Sequence, residues 1–119
     1  MDTQAIATEF VTLCKAGQFD AAGEQFWADD VVSIEPMGPQ PVVSGKAAVK
    51  AKGESWYANH EVHSAEATGP YVNGDQFAVR FNLDITMRAS GQRMAMEEVA
   101  LYTLRDGKIV EERFFYGMG

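Results

Sequence analysis

The sequence predicts an α+β fold in which helices lead and a curved antiparallel sheet wraps around the first of them. Three observations predict it. Helical spacing marks the early part of the chain, and strand alternation marks the later part. The long strand segments then follow one another in series through tight turns, with no helix between them, so parallel βαβ units are excluded. At 119 residues the chain has the length of one ordinary domain, residues 1–119, and is too short for two independent cores.

The first helix is predicted from about Thr3 to Ala16. Ile6, Phe10, Leu13 and Cys14 recur at helical spacing with Val11 beside them. Asp2 or Thr3 can cap its free N–H groups, and Gly17 suits its C-terminal stop. A short second helix follows, about Phe19 to Phe26, with both phenylalanines facing one core. Val31 to Glu35 reads as a short strand ended by Pro36. Pro39, Pro41 and Gly38 make the run from Met37 to Val43 a loop. Ser44-Gly45 opens a third helix, about Lys46 to Tyr57. Ala48, Val49 and Trp56 share one of its faces, and Lys46, Lys50 and Glu54 another.

The remaining strands are predicted at about Glu61 to Thr68, Gln76 to Met87, Arg93 to Leu104 and Ile109 to Tyr116. Gly69-Pro70 breaks the first of these. Asn73-Gly74-Asp75, Ser90-Gly91-Gln92 and Asp106-Gly107 supply the turns. In the second of these strands Val79, Phe81, Leu83 and Ile85 fall on one face, and Arg80, Asn82, Asp84 and Thr86 on the other.

Composition narrows the function classes. Apolar residues make up 46% of the chain, enough for a packed core. Seventeen acidic residues against ten basic give a net charge of -7, which repels nucleic-acid backbones and anionic membranes alike. The lone Cys14 cannot form an internal disulfide and fits a reducing compartment. The N-terminus lacks the pattern of a signal peptide, and no stretch approaches the roughly 20 apolar residues of a spanning helix. The expected location is the cytoplasm, with no nucleic-acid or membrane partner.

One ordered set of segments carries a resemblance. Two helices, Trp27-Ala28-Asp29-Asp30, a strand, Glu35-Pro36-Met37-Gly38, a helix opened by Gly45, and a meander ending in Asp106-Gly107-Lys108-Ile109 together span nearly the whole chain. This order resembles the SnoaL-like and ketosteroid-isomerase-like branch of the nuclear transport factor 2-like superfamily. The resemblance implies a cone-shaped curved antiparallel sheet wrapped around three N-terminal helices, an apolar pocket at its open end, and a homodimer. Fold alone does not name a reaction, because the superfamily holds isomerases, dehydratases, cyclases, hydrolases and non-catalytic binding domains.

Glu35 is the sharpest candidate. In the isomerases a carboxylate just before a Pro-aromatic-Gly run moves a proton between substrate carbons, and Glu35 precedes Pro36-Met37-Gly38. Such chemistry needs a carboxylate in an apolar cavity, where burial raises its pKa. The alternative is a solvated or lysine-paired Glu at a strand end. The isomerases also stabilise an enolate oxygen with a Tyr on helix one and a protonated Asp on a late strand. Those positions match Phe10 and Ala100 here, and neither side chain can donate a hydrogen bond. Met94, Met96, Glu98, Ala100 and Tyr102 share one strand face. If that face lines the cavity, Glu98 and Tyr102 point inward. Glu112, Phe114 and Tyr116 share a face of the last strand, with Tyr116 matching a late aromatic over the ligand.

His60 and His63 do not read as a metal pair. Their offset of three places them on opposite strand faces, and two ligands are too few for a closed zinc site. His60 alone suits an acid–base or hydrogen-bonding role, or a surface position. Cys14 reads as a small buried hydrophobe.

The candidate catalytic set is therefore Glu35, His60, Glu98 and Tyr116. The candidate ligand walls are Phe10, Trp27, Met37, Trp56, Phe81, Leu83, Met96, Ala100, Tyr102 and Phe114. The expected function is cofactor-free isomerisation, cyclisation or hydration/dehydration of a small apolar or polyketide-like carbonyl compound, with no metal. The competing expectation, motivated by the lost donors, is a non-catalytic binding or dimerisation module. The mixed outer face formed by Arg80, Asn82, Asp84, Thr86, Val99, Leu101 and Thr103 predicts a homodimer through the sheet.

Overall fold

The computed structural model describes residues 2–117. Helix α1, Thr3–Lys15, starts where the Asp2 side chain accepts a hydrogen bond from the Ala5 N–H. It ends at Gly17, whose positive φ of 76° lets the chain turn back while Gln18 N–H reaches the Leu13 carbonyl. Ile6, Ala7, Phe10, Val11 and Cys14 form its buried stripe. Helix α2 is Phe19–Phe26 and helix α3 is Lys46–Asn59.

The strands are β1 (Trp27–Ile34), β2 (Val42–Ser44), β3 (His60–Asn73), β4 (Gln76–Met87), β5 (Arg93–Arg105) and β6 (Lys108–Phe115). They form one six-stranded curved open sheet in the order β2-β1-β6-β5-β4-β3. With the three helices, this is the α+β cone that the sequence predicts. Helix α1 packs on β3 and β4, and its Phe10 meets Phe26, Phe77 and Tyr102 at ring-centroid distances of 4.7–6.2 Å.

Several local details differ from the sequence expectations. The sheet is antiparallel except where β1 runs parallel to β6. The first strand starts at Trp27, because Trp27 pairs with Ile109 before a register shift carries the chain to Val32. The run assigned to a loop closes with β2, which pairs with β1 from Val42 to Ser44. Pro41 is the last residue there without an N–H, so pairing starts immediately after it. Gly69-Pro70 does not end β3. It produces a register shift between Thr68 and Tyr71, tolerated because β3 is an edge strand and needs no donor on its open side.

Among the described residues, no helix is long and apolar enough to cross a membrane.

Candidate functional site

The inner faces of β4, β5 and β6, with α1, α2 and α3, enclose a cavity of about 450 Å³. Strand alternation decides who enters it. Phe81 and Leu83 project inward from β4, Met96, Glu98 and Tyr102 from β5, and Glu112 and Phe114 from β6, with Tyr116 just beyond. Phe10, Trp27, Trp56, His60 and Glu35 complete the predicted set on its walls. Two expected wall residues are absent. Ala100 lies on the inward face but is fully buried in the core, where its methyl is too short to reach the lumen. Met37 sits in the bend beyond β1, away from the walls.

Glu35 follows Val31 and Ser33 along the inward alternation of β1. Its side chain is largely withdrawn from solvent. Lys52 on α3 holds it at 2.7 Å, with the two side chains only 26% and 20% exposed. The lysine-paired alternative therefore describes Glu35, but the pair lies in the cavity wall and not on the surface. Lys52 also donates to Ser33 Oγ at 2.6 Å. Ser33 donates to Glu112 Oε2 at 2.8 Å, and Trp27 Nε1–H donates to Glu112 Oε1 at 2.8 Å. Glu112 is thus a buried carboxylate with both oxygens bonded. Burial still pushes its pKa up against the lowering effect of Ser33, Trp27 and Lys52.

Glu98 stands outside this network. Its carboxyl, on the cavity wall, is pushed up to about 7, first by desolvation and then by the charge of Glu35, with Lys52 opposing and Glu112 reinforcing. Tyr116 is pushed up to about 12 by burial and by the neighbouring Glu35 carboxylate. Tyr102, buried against Phe10 and Phe77, is raised well above its ordinary value, chiefly by desolvation. His60 stacks on Trp56 at 4.6 Å, and its Nδ1 lies 2.8 Å from the Trp56 carbonyl. A carbonyl only accepts, so Nδ1 carries a proton there. His63 points to the other face and meets Thr86 Oγ1 at 2.7 Å. Burial raises the Cys14 thiol to about 12, which keeps it un-ionised and poorly nucleophilic. Among the described residues, no three His, Cys, Asp or Glu side chains converge as a metal-binding set.

The sequence reading missed Lys52, Ser33 and the role of Glu112. The signals were present. Val49, Lys52 and Trp56 follow a spacing of three and four on α3, the stripe that faces the cavity. Ser33 lies between Val31 and Glu35 on the same face of its strand. What a single sequence does not show is that β1 and β6 pair in parallel, with Ser33 opposite Glu112.

The fold that carries this site recurs in known structures. A candidate SnoaL-like polyketide cyclase from Mesorhizobium loti, also designated carbohydrate phosphatase, superposes with a TM-score of 0.95 at 50% identity, covering 98% of this chain and all of that one. A candidate isomerase from Bacillus subtilis has a TM-score of 0.79 at 21% identity, over 98% of this chain and 90% of its own. A cystatin-like protein of unknown function from Xanthomonas campestris also reaches 0.79, at 24% identity, over 98% and 92%. No curated protein matches the chain. The family model for the SnoaL-like domain matches residues 1–116, and the chain belongs to that family.

Proposed function

We propose that the protein is a cofactor-independent enzyme that moves a proton on a small, largely apolar carbonyl compound, with Glu98 as the proton carrier. The observation that carries this reading is the Glu98 carboxyl on the cavity wall, outside the Lys52 network, with a pKa near 7. A base poised near the working pH is ionised often enough to accept a proton and basic enough to hold it. Glu35 has the position that the resemblance singles out, but its charge is engaged by Lys52. In this reading Glu35, Tyr116 and His60 orient the substrate, and the aromatic walls bind its apolar body.

The step is simple. Ionised Glu98 takes a proton from the carbon next to the carbonyl, and the C–H electron pair moves onto the carbonyl oxygen to give an enolate. Where a C=C is conjugated with the enolate, Glu98 returns the proton to the far carbon as the C=O re-forms, giving isomerisation. Alternatively the enolate carbon attacks a second carbonyl in the same molecule and the alkoxide so formed takes the proton from Glu98, giving cyclisation. The designation of the half-identical Mesorhizobium loti protein as a candidate polyketide cyclase supports the second outcome. The test is exchange of carbonyl α-hydrogens in D2O, followed by NMR over a panel of aryl and cyclic ketones. The expected result is exchange that rises through pH 7 and falls about a hundredfold or more in Glu98→Gln. An unchanged rate in that variant removes Glu98 from the chemistry. We also propose that two copies pair through the outer sheet face.

A further inference from the structure

Lys52 is the feature that this chemistry does not yet use. It is the sole Lys or Arg on the cavity wall among the described residues, and its ammonium carries three donors. Glu35 takes one at 2.7 Å and Ser33 takes a second at 2.6 Å. The head also lies 5.2 Å over the Phe114 ring, a further restraint on a flexible side chain. The third donor remains for a group in the cavity. The positions that match oxygen-stabilising donors, Phe10 and Ala100, carry none, and the Trp27 N–H is already spent on Glu112.

We infer that Lys52 is the catalytic residue that receives the substrate's carbonyl oxygen, and that Ser33 and Glu112 are positioning residues that hold its ammonium in place. The inference rests on the proton-transfer reading above and names the group that completes it. As the C–H electron pair moves onto the carbonyl oxygen, the new negative charge forms beside a cation already oriented by neutral and charged partners. Such a preorganised donor acts mainly on the transition state. Glu112 is suited to hold Ser33 because both its oxygens are bonded, so Ser33's proton is directed to Glu112 and its lone pairs face Lys52. The ligand this arrangement accepts is a neutral compound that places one carbonyl oxygen at Lys52 and lays an apolar frame along the aromatic walls.

The groups around Lys52 define what its removal does. Glu35 beyond β1, Glu98 on β5, Glu112 on β6 and Tyr116 beyond β6 all face this end of the cavity, with His60 of β3 also on its wall. Lys52 opposes the mutual repulsion of the three carboxylates. Its loss leaves them uncompensated, so the pH midpoint of any Glu98-dependent signal moves upward in Lys52→Met.

The experiment compares acetophenone with ethylbenzene, which keeps the ring and loses the oxygen. In the wild-type protein the infrared C=O stretch of bound acetophenone is expected at lower wavenumber than in an apolar solvent. Acetophenone is expected to bind about tenfold more tightly than ethylbenzene, the scale of a hydrogen bond to a charged donor. Lys52→Met is expected to abolish the stretch displacement and the preference while ethylbenzene affinity persists, which also shows that the cavity is intact. Ser33→Ala is expected to lose part of both, and Ser33→Thr, which keeps the hydroxyl, to restore them. An unchanged stretch in Lys52→Met overturns the catalytic assignment. A Ser33→Ala variant identical to wild type overturns the positioning role. If the stretch responds to Lys52 but α-hydrogen exchange is insensitive to Glu98→Gln, the oxygen site stands and the proton-transfer reading fails. The reverse pattern leaves Glu98 in place and removes Lys52.

Discussion

Glu98 links the site to the stability of the whole chain. Its folded pKa of about 7 lies above the ordinary value of 4.5, chiefly because burial disfavours the charge. The folded state therefore binds this proton more tightly than the unfolded state. The consequence for pH has a definite sign. Below the ordinary value both states are protonated and Glu98 costs nothing. As pH rises from there through about 7 the unfolded chain ionises first, and folding loses up to about 3 kcal/mol. Glu112, whose pKa is also raised by burial, acts in the same direction, so the contribution of Glu98 has to be isolated by difference. Thermal melts of wild type and Glu98→Gln should nearly coincide at pH 4 and separate by several degrees at pH 8, with the variant more stable. Coincident melts at pH 8 would mean that Glu98 is not held in an apolar environment. The same substitution that stabilises the fold should abolish the proposed proton transfer, a trade-off typical of sites that bury charge for function.

At the scale of elements, α2 and β1 join without a loop, and one glycine makes that possible. A Cβ at Gly23 would lie 2.6 Å from the Trp27 ring, which crosses the helix at that point. The ring is not free to retreat, because its N–H is bonded to buried Glu112. Gly23→Ala should therefore destabilise the protein by about 1–3 kcal/mol despite the better helix propensity of alanine, with a shift in tryptophan fluorescence as its local mark. A stabilised variant with unchanged emission would show that Trp27 can move at no cost. This junction also shows what the sequence does and does not reveal. Phe19–Phe26 and Gln76–Met87 were readable to the residue, because periodicity and turn residues are local signals. The face that Met96, Glu98, Ala100 and Tyr102 share on β5 was readable as a set but its direction was not, because one bulge reverses it; the structure turns Glu98 and Tyr102 to the cavity. The parallel contact of β1 with β6 was not legible, since it joins residues such as Ser33 and Glu112 that lie 79 positions apart. The Ser33–Glu112 hydrogen bond, which turns the Ser33 lone pairs toward Lys52, depends on that contact. The site's carboxylates were thus legible one by one, while the cation and hydroxyl that organise them were not.

For the whole molecule, the open question is what covers the outside of the sheet. The helices cover its inner face, and the outer face of β4, β5 and β6 has no element of this chain packed on it among the described residues. At its centre Val99 and Phe115 stand opposite each other across β5 and β6, 40% and 50% exposed. Around them the Arg80–Glu97 and Arg93–Asp84 ion pairs neutralise most of the local charge within the chain. An apolar centre with a self-neutralised rim is a surface that a second copy can match, because each ion pair already satisfies its own partners and the apolar residues gain from leaving water. The net charge of -7 opposes association at long range, so the dimer should tighten as salt screens that repulsion. Light scattering at micromolar concentration is expected to give twice the chain mass. Val99→Glu is expected to weaken pairing about tenfold or more, since a two-fold axis near this residue brings the new charges together. A wild-type protein that remains monomeric at every salt concentration would leave the outer face solvated and rule out pairing through the sheet.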